Sequence, residues 1–491
     1  MERESRIGRP RMQFSALRDL GVITGPQDAE IRDIRHDSRT VRPGDVFVAV
    51  PGQRYDGHDF IPEALKNGAA ALIVEREVKD AGVPVLVVKD TRAILGEASA
   101  RAYDHPSRRL CLIGVTGTNG KTTTAYLIRA LLRALGNPTG LIGTVEVDTG
   151  RERLPGERTT PEATDTNRLL ADMVGAGLTH AVMEVSSHSL ALGRVDGLTF
   201  QGATFTNLSQ DHLDFHPSLE AYAQAKARLF AMLGPDAAAS FNEDDPYHRV
   251  MEEHCRATRV GYGLESESDF RGVDLRVEAT GLSFTLLTPS HREKVRTSLT
   301  GRFNIMNILA AVSLLATMGH DTEQMVAALR TIRGVPGRFE QIGTRAPFTV
   351  IVDYAHTPDG LENALLAARD VTRGRVLVVI GCGGDRDRAK RPLMGKVATT
   401  EADLAFLTSD NPRSEDPLAI LREMEAGAKQ GSYPYKLVPD RRQAIEAAID
   451  AARAGDVVLI AGKGHETYQV IGDRTIPFDD RVVAEDALTR A

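Results

Sequence analysis

The run GVTGTNGKTT at residues 114–123 holds the residue types that bind a phosphate. Glycines let backbone N–H groups wrap an anion, a lysine adds positive charge, and the hydroxyl after it can ligate Mg²⁺. Gly117, Gly120, Lys121 and Thr122 fit the general pattern G-x-x-x-x-G-K-[ST]; its first position is Val115, with Gly114 one residue early. The plainer alternative is a glycine-rich strand-to-helix turn without a ligand, and Lys-Thr directly after the last glycine argues against it.

Two further stretches carry chemistry. Residues 180–184 end in Glu184 and run into Ser186, Ser187 and His188, and residues 205–207 run into Gln210, Asp211, His212, Leu213, Asp214, Phe215 and His216. In a parallel sheet ligands sit outside the carboxyl ends of the strands. Glu184 and His212 are therefore expected to converge beside Thr122, where a carboxylate and a hydroxyl suit Mg²⁺. Histidine is a less usual Mg²⁺ ligand. A zinc site built from His212, Asp214 and His216 is an alternative whose spacing matches no familiar zinc motif. Each histidine alone can also be a hydrogen-bonded loop residue. The segment 218–233 reads as an amphipathic helix with Leu219, Tyr222, Leu229, Phe230 and Leu233 as its apolar stripe, and Lys226 lies on that stripe. Such a lysine either snorkels to water, or has a lowered pKa or is converted to something other than an ammonium.

A third group lies in the last third of the chain. The loops at 381–388, 408–413 and 461–466 each follow an apolar run and mix arginines with Asp410 and Glu466. Arginines pair with carboxylates and acidic groups with an ammonium, so a pocket of both signs suits a zwitterion. The alternative is a solvated charged rim.

These residues need elements to hold them. Short β-like runs at 45–50 and 83–88 come first, and the character changes near 104–107. The run at 110–115 enters the glycine-rich turn, a helical stretch follows at 122–135, and strand and helix signals then alternate as in a parallel α/β sheet. A second break lies at 334–337, with strand-like runs beyond it at 348–352, 375–380, 404–407 and 457–460. The expectation is a small α+β domain at 1–106 and two α/β domains at 107–338 and 339–491. The chain of 491 residues has 60 basic against 67 acidic side chains, a net charge of −7 without a basic block, which excludes general nucleic-acid binding. No apolar run reaches the ~18 residues of a membrane span, and the first residues lack a signal-peptide core. Cys111, Cys255 and Cys382 make no disulfide framework. A cytoplasmic, monomeric protein without membrane insertion is expected.

GTNGKTT, MEVSSH at 183–188, NLSQDHLDFH at 207–216 with Lys226 behind it, GRFNIMN at 301–307, DYAHTP at 353–358 and DNPR at 410–413 occur in one order. From about residue 30 to the C-terminus this resembles a Mur ligase, and within the family the branch that adds the third residue of the peptidoglycan peptide. The resemblance implies an α/β, three-domain architecture: an N-terminal UDP-sugar domain, a central P-loop ATPase sheet and a C-terminal Rossmann-like domain. It implies ATP and Mg²⁺ as cofactors, and UDP-MurNAc-L-Ala-D-Glu and meso-diaminopimelate as partners. The D-glutamate carboxylate would take the γ-phosphate of ATP, and the incoming amine would then displace phosphate.

The resemblance also assigns residues. Gly117, Thr118, Asn119, Gly120, Lys121, Thr122 and Thr123 would hold the ATP phosphates, with Lys121 on the transferring one. Asn304 would lie near the adenine, and Arg338, Asp353 and His356 would grip the nucleotide from the C-terminal domain. Thr122 and Glu184 would hold one Mg²⁺, and His212 with a carbamylated Lys226 a second. Ser38, Thr159, Thr160, Ser186 and Arg194 match UDP-sugar residues, whereas Gln53, Arg54, Tyr55, Arg158 and Leu192 depart from the family pattern. Asp410, Asn411, Pro412 and Arg413 are similar to the diaminopimelate signature, Arg413 being able to pair with the distal carboxylate that lysine lacks. Arg386, Gly462 and Glu466 match other amino-acid contacts. An L-lysine-adding ligase, a folylpolyglutamate synthetase, a P-loop nucleotide switch and an inactive scaffold remain as alternatives; the N-terminal domain with Asp37, Ser38 and Arg39 opposes the second.

Overall fold

The computed structural model describes residues 12–490 apart from 27, 53–54, 213–214, 279 and 344–345. Gln53, Arg54, Leu213 and Asp214 therefore lie outside the described residues. Most strands fall into three sheets. The first has five strands in the order Val22–Thr24, Val85–Val87, Ala71–Val74, Asp45–Val48, Asp33–Arg35, all parallel except the edge pair formed by the first two.

The second sheet has eleven strands. Its parallel core runs Thr139–Ile142, His180–Glu184, Cys111–Thr116, Gly202–Phe205, Ala238–Asn242, Thr258–Gly263. The chain enters at Cys111–Thr116 and lays later strands on both sides of it. This is a topological switch point, and the loops after Thr116, Glu184 and Phe205 converge there. The alternating strand and helix signals predict a parallel α/β sheet, and the core is parallel; antiparallel strands extend it at both edges, Glu146–Asp148 with Arg153–Pro155 and Gly281–Leu287 with Arg292–Thr297. Their one-face-in, one-face-out alternation, as in Gly281–Leu287, is a period-2 pattern of half-buried strands. Helix Lys121–Ala134 turns Leu127, Ile128, Leu131 and Leu132 inward against Phe303–Thr317, an almost wholly buried helix. That packing fixes the base of the phosphate loop.

The third sheet runs Glu340–Ile342, Thr349–Asp353, Val457–Ala461, Val376–Cys382, Leu404–Ser409, Tyr435–Leu437, parallel after its antiparallel edge. All seven residues of Val376–Cys382 are buried, as expected of a strand covered on both faces. The strand ends carry the mixed-sign loops. Beneath them Arg441 and Asp480, each 0% exposed, pair at 2.8 and 2.7 Å. Arg441 also donates to the carbonyls of Ala461 (2.8 Å) and Ser409 (3.5 Å), tying the ends of two strands that flank Val376–Cys382. Asp480→Ala leaves this guanidinium buried and uncompensated, and is expected to destabilise the fold by about 3–5 kcal/mol in urea denaturation. A loss under about 1 kcal/mol would deny the pair its structural role. No helix among the described residues is long and apolar enough to cross a membrane.

Candidate active site

The phosphate loop leaves strand Cys111–Thr116 and enters helix Lys121–Ala134. Gly117 and Gly120 have φ of +150° and +83°. A Cβ on Gly117 would lie 1.9 Å from Thr206 Oγ1, and one on Gly120 2.5 Å from Asn307 Oδ1, so only glycine fits this path. Thr118 N donates to Asn207 O (2.8 Å) and Asn119 N to Asn207 Oδ1 (2.9 Å), which anchors the loop to the neighbouring strand end. Thr123 is buried in the first turn of the helix. Lys121 Nζ donates to the carbonyls of Gly117 and Thr118, both at 2.9 Å. Removal from water lowers its pKa, against the opposing pull of Glu184 and Asp211.

Thr122 and Glu184 meet as the strand order requires. Thr122 Oγ1 donates to Glu184 Oε2 at 2.9 Å. Glu184 is 0% exposed and also accepts from Thr144 N (2.8 Å) and Thr144 Oγ1 (3.1 Å). A carboxylate and a hydroxyl this close, with all-oxygen chemistry, fit Mg²⁺. The second set gathers on Tyr222. Lys226 Nζ lies 4.4 Å from the Tyr222 ring centroid, and the His212 ring is edge-on to Tyr222 at 6.1 Å. His212 takes a left-handed φ of +54° and is also edge-on to His188 at 4.6 Å. His216 Nε2 bonds Ser187 Oγ at 3.0 Å. Among the described residues no cluster of three or more His, Cys, Asp or Glu is arranged to hold a metal.

Lys226 does not snorkel. It is 1% exposed, and its Nζ donates to Gly117 O at 2.7 Å, the same carbonyl that Lys121 meets. Burial, and then the Lys121 charge, hold its pKa well below the ordinary lysine value. Two ammonium groups on one carbonyl in a dry site repel each other, which favours the neutral amine at Lys226.

The third sheet's unit reaches this loop directly. Arg338 Nη2 donates to Thr122 Oγ1 at 3.0 Å. Its guanidinium lies 4.5 Å over the Tyr354 ring, and Tyr354 packs on His356 at 4.6 Å and His465 at 5.0 Å. Arg338 Nε is buried with no hydrogen-bond partner among the described residues, which suits an anion beside it. Asp353 accepts from Phe339 N (2.7 Å) and Ala355 N (2.8 Å), and burial pushes its carboxyl pKa up. Asn304 is buried, its amide shared with Thr300 O and Asn307 Nδ2. A cavity of about 410 Å³ opens beside Thr123, walled by Tyr126, Leu127, Leu299 and residues 331–336.

At the C-terminal strand ends, Arg413 has φ +52° and donates through Nη1 to Gly384 O at 2.7 Å. A Cβ on Gly384 would fall 1.8 Å from Pro412 O, so that loop passes against Pro412 only with glycine there. Asp410 lies 3.0 Å from where a Gly462 Cβ would stand. Glu466 is not an isolated acid: Lys463 Nζ (2.8 Å) and Asn411 Nδ2 (2.9 Å) both donate to it. Lys463 is 0% exposed and was not singled out from sequence; its i, i+3 spacing to Glu466 was the available signal. Tyr354, also passed over, sits inside the quoted DYAHTP stretch. Arg386 is exposed, its Nη1 donating to Asp385 O at 3.0 Å.

The expected UDP-sugar residues divide. Thr160 Oγ1 donates to Glu184 O (2.9 Å) and accepts from Ser186 N (3.1 Å), and Arg194 Nη1 donates to Thr160 O (3.3 Å). Thr159 accepts from Thr144 Oγ1 at 3.0 Å. These four therefore sit around the Glu184 strand end. Ser186 Oγ also caps helix Ser187–Ala191. Arg158 and Arg194 both bond Glu162, and Leu192 O accepts weakly from Arg92. Ser38 stands apart, its hydroxyl donating to Glu63 within the first sheet's unit. Tyr55 is exposed.

A phosphate loop at one switch point, with a second α/β unit docked onto it through an arginine, defines a phosphate-binding enzyme architecture of several domains. The chain belongs to the Mur ligase family. Models described as Mur ligase family, catalytic domain, Mur ligase middle domain, and Mur ligase, glutamate ligase domain match residues 30–103, 115–315 and 337–464. A Bacillus velezensis protein named UDP-N-acetylmuramoyl-L-alanyl-D-glutamate–2,6-diaminopimelate ligase is 46% identical over 471 residues, covering 94% of this chain and 95% of its own. A Geobacillus kaustophilus protein of the same name is 48% identical over 465 residues, with 94% and 95% covered. A solved structure with that name superposes with a TM-score of 0.71 at 35% identity, covering 98% of this chain and 99% of its own.

Proposed function

We propose that this chain is an ATP-dependent acid–amino-acid ligase that adds meso-diaminopimelate to UDP-MurNAc-L-Ala-D-Glu in peptidoglycan precursor synthesis. The carrying observation is the 3.0 Å bond from Arg338 to Thr122, which docks the unit bearing the mixed-sign pocket onto the phosphate loop. A carboxylate is a poor electrophile, and phosphorylation gives it a leaving group, so catalysis rests on positioning and on stabilising phosphate charge. Lys121 and the loop N–H groups hold the transferring phosphate, and Arg338 neutralises it from the other unit. The cavity beside Thr123 offers room for the nucleoside. Thr122 and Glu184 would hold Mg²⁺, which would neutralise phosphate charge when bound. Lys226, as a neutral amine, would add to CO₂ with loss of a proton to form a carbamate, and this anion with His212 would hold a second ion.

Thr159, Thr160, Ser186 and Arg194 hold the UDP-sugar's peptide end beside Glu184, while Ser38 serves the nucleotide-sugar end. In the C-terminal pocket Arg413, with Arg386, takes the carboxylates of diaminopimelate, and Asp410, Asn411, Gly462 and Glu466 orient its amines. The D-glutamate carboxylate takes the γ-phosphate of ATP as ADP leaves. The amine then attacks the acyl carbon, the C–N bond forms, the C–O bond to phosphate breaks, and the amine's proton is lost to phosphate or solvent. The same reading gives domains at 1–106, 107–338 and 339–491, with Arg338 at the boundary going with the C-terminal unit, as the glutamate ligase domain match at 337–464 has it, and a monomer in the cytoplasm.

The test is phosphate release from ATP with UDP-MurNAc-L-Ala-D-Glu, adding meso-diaminopimelate or L-lysine separately. Release with diaminopimelate alone, and a product one residue heavier, is expected. Release with lysine keeps the ligase and overturns the specificity; steady hydrolysis without acceptor supports a nucleotide switch instead. Arg413→Ala is expected to reduce kcat/KM for diaminopimelate by about 10²-fold, since a paired charge is lost, with little change in any residual lysine turnover. Equal losses on both amino acids would remove Arg413 from the selectivity.

A further inference from the structure

We propose that Asp359 is a positioning residue that couples docking of the C-terminal unit to the phosphate loop. It lies in the first turn of helix Pro358–Val371, which follows the 354–357 loop after strand Thr349–Asp353 of the third sheet. Its Oδ2 accepts from two groups of the central unit, Asn119 Nδ2 at 2.7 Å and Ser209 Oγ at 2.8 Å. Both partners belong to segments already tied together: Ser209 N donates to Thr118 Oγ1 at 3.0 Å, and Asn119 N to Asn207 Oδ1 at 2.9 Å. The carboxylate therefore closes, from a separate sheet, a network that sets the wall of the loop.

The charge is informative. A loop that gathers an anion collects N–H groups and Lys121; a carboxylate at its edge opposes that attraction. Its presence is explained by the strength and direction of charge-assisted bonds to an amide and a hydroxyl. Arg338 makes the companion bond to Thr122. Asn119 lies two residues before Lys121 and Thr122 one after, so two cross-unit bonds bracket the lysine. When the units part, both bonds break and the Asn119 side chain loses its fixed direction; docking restores it. This ties loop geometry to domain closure.

The kinetic part of the test rests on the ligase reading, and a second part does not. Asp359→Ala is expected to lower kcat for acceptor-dependent phosphate release by about tenfold, with KM for ATP and for the UDP-sugar changed less than about twofold. Asp359→Asn keeps an acceptor oxygen and is expected to recover most of that loss. Combined with Ser209→Ala, Asp359→Ala should cost less than the product of the single effects. Independently of activity, small-angle X-ray scattering of the chain without added ligand is expected to give a larger radius of gyration for Asp359→Ala than for wild type. Expansion in a chain that shows no acceptor-dependent release keeps the coupling and overturns the ligase reading. An unchanged radius of gyration, an Asp359→Asn variant as impaired as Asp359→Ala, or multiplicative effects with Ser209→Ala would each overturn the proposal.

Discussion

Lys121→Ala is expected to abolish phosphate release that depends on both the UDP-sugar and the amino acid, with a fall of about 10²–10³-fold or more. Lys121 stands at the first position of the helix behind a loop that only glycines can follow, and its Nζ spans the Gly117 and Thr118 carbonyls. Removing it leaves the backbone donors and Arg338 but takes away the flexible charge at the loop itself that can follow a phosphate as it moves. Lys121 is half-buried and its Nζ bonds loop carbonyls rather than core groups, so the variant is expected to fold, with a melting temperature close to wild type. Phosphate release assayed beside a thermal melt separates the two effects. Substantial residual turnover in a folded variant would end the role assigned to this lysine.

Lys226→Ala carries the second largest expected effect, a loss of about 10²-fold or more. Lys226 is enclosed, its nitrogen is on Gly117 O, and burial with Lys121 nearby disfavours its ammonium. A carbamate would reverse the sign of the charge and turn repulsion with Lys121 into attraction. Truncation to alanine opens a space beside the loop that a small carboxylate can enter. Added formate or propionate is therefore expected to restore part of the activity, while chloride at the same ionic strength is not. The sign with pH follows from the lowered pKa: falling pH returns the ammonium and releases CO₂, so activity should decline on acidification and recover with bicarbonate. Failure of rescue by either acid would remove the carbamate from the account.

Much of the site was legible because its residues sit next to one another along the chain. Gly117 to Thr123, Asp410 to Arg413 and the Gly462 to Glu466 loop each lie at the end of an apolar run, and the structure puts each at a strand end. Strand and helix identity was also readable, since runs such as 376–380 are apolar on both faces and helix Lys121–Ala134 has a one-sided stripe. The antiparallel edges are not legible because the alternation of strand and helix signals over long stretches masks the period of two of a short hairpin. Lys463 and Arg441 were missed for a different reason: a charged side chain in a sequence reads as exposed, and only its neighbours reveal that it is fully enclosed.

The sequence alone determined which residue types are present, their order and the local elements, because backbone preference and hydrophobic periodicity act over a few residues. It thereby determined a phosphate loop, three domain-sized segments and a mixed-sign set of loops. The tertiary structure decided which of these meet. It put Glu184 on Thr122, Lys226 on the same carbonyl as Lys121, and Arg338 and Asp359 on a loop more than two hundred residues away. It also committed Glu466 to Lys463 and kept Ser38 with Glu63. Hydrogen bonds and charge pairs act over about 3 Å, a scale set by the packing of distant strands. No spacing along the chain encodes that distance.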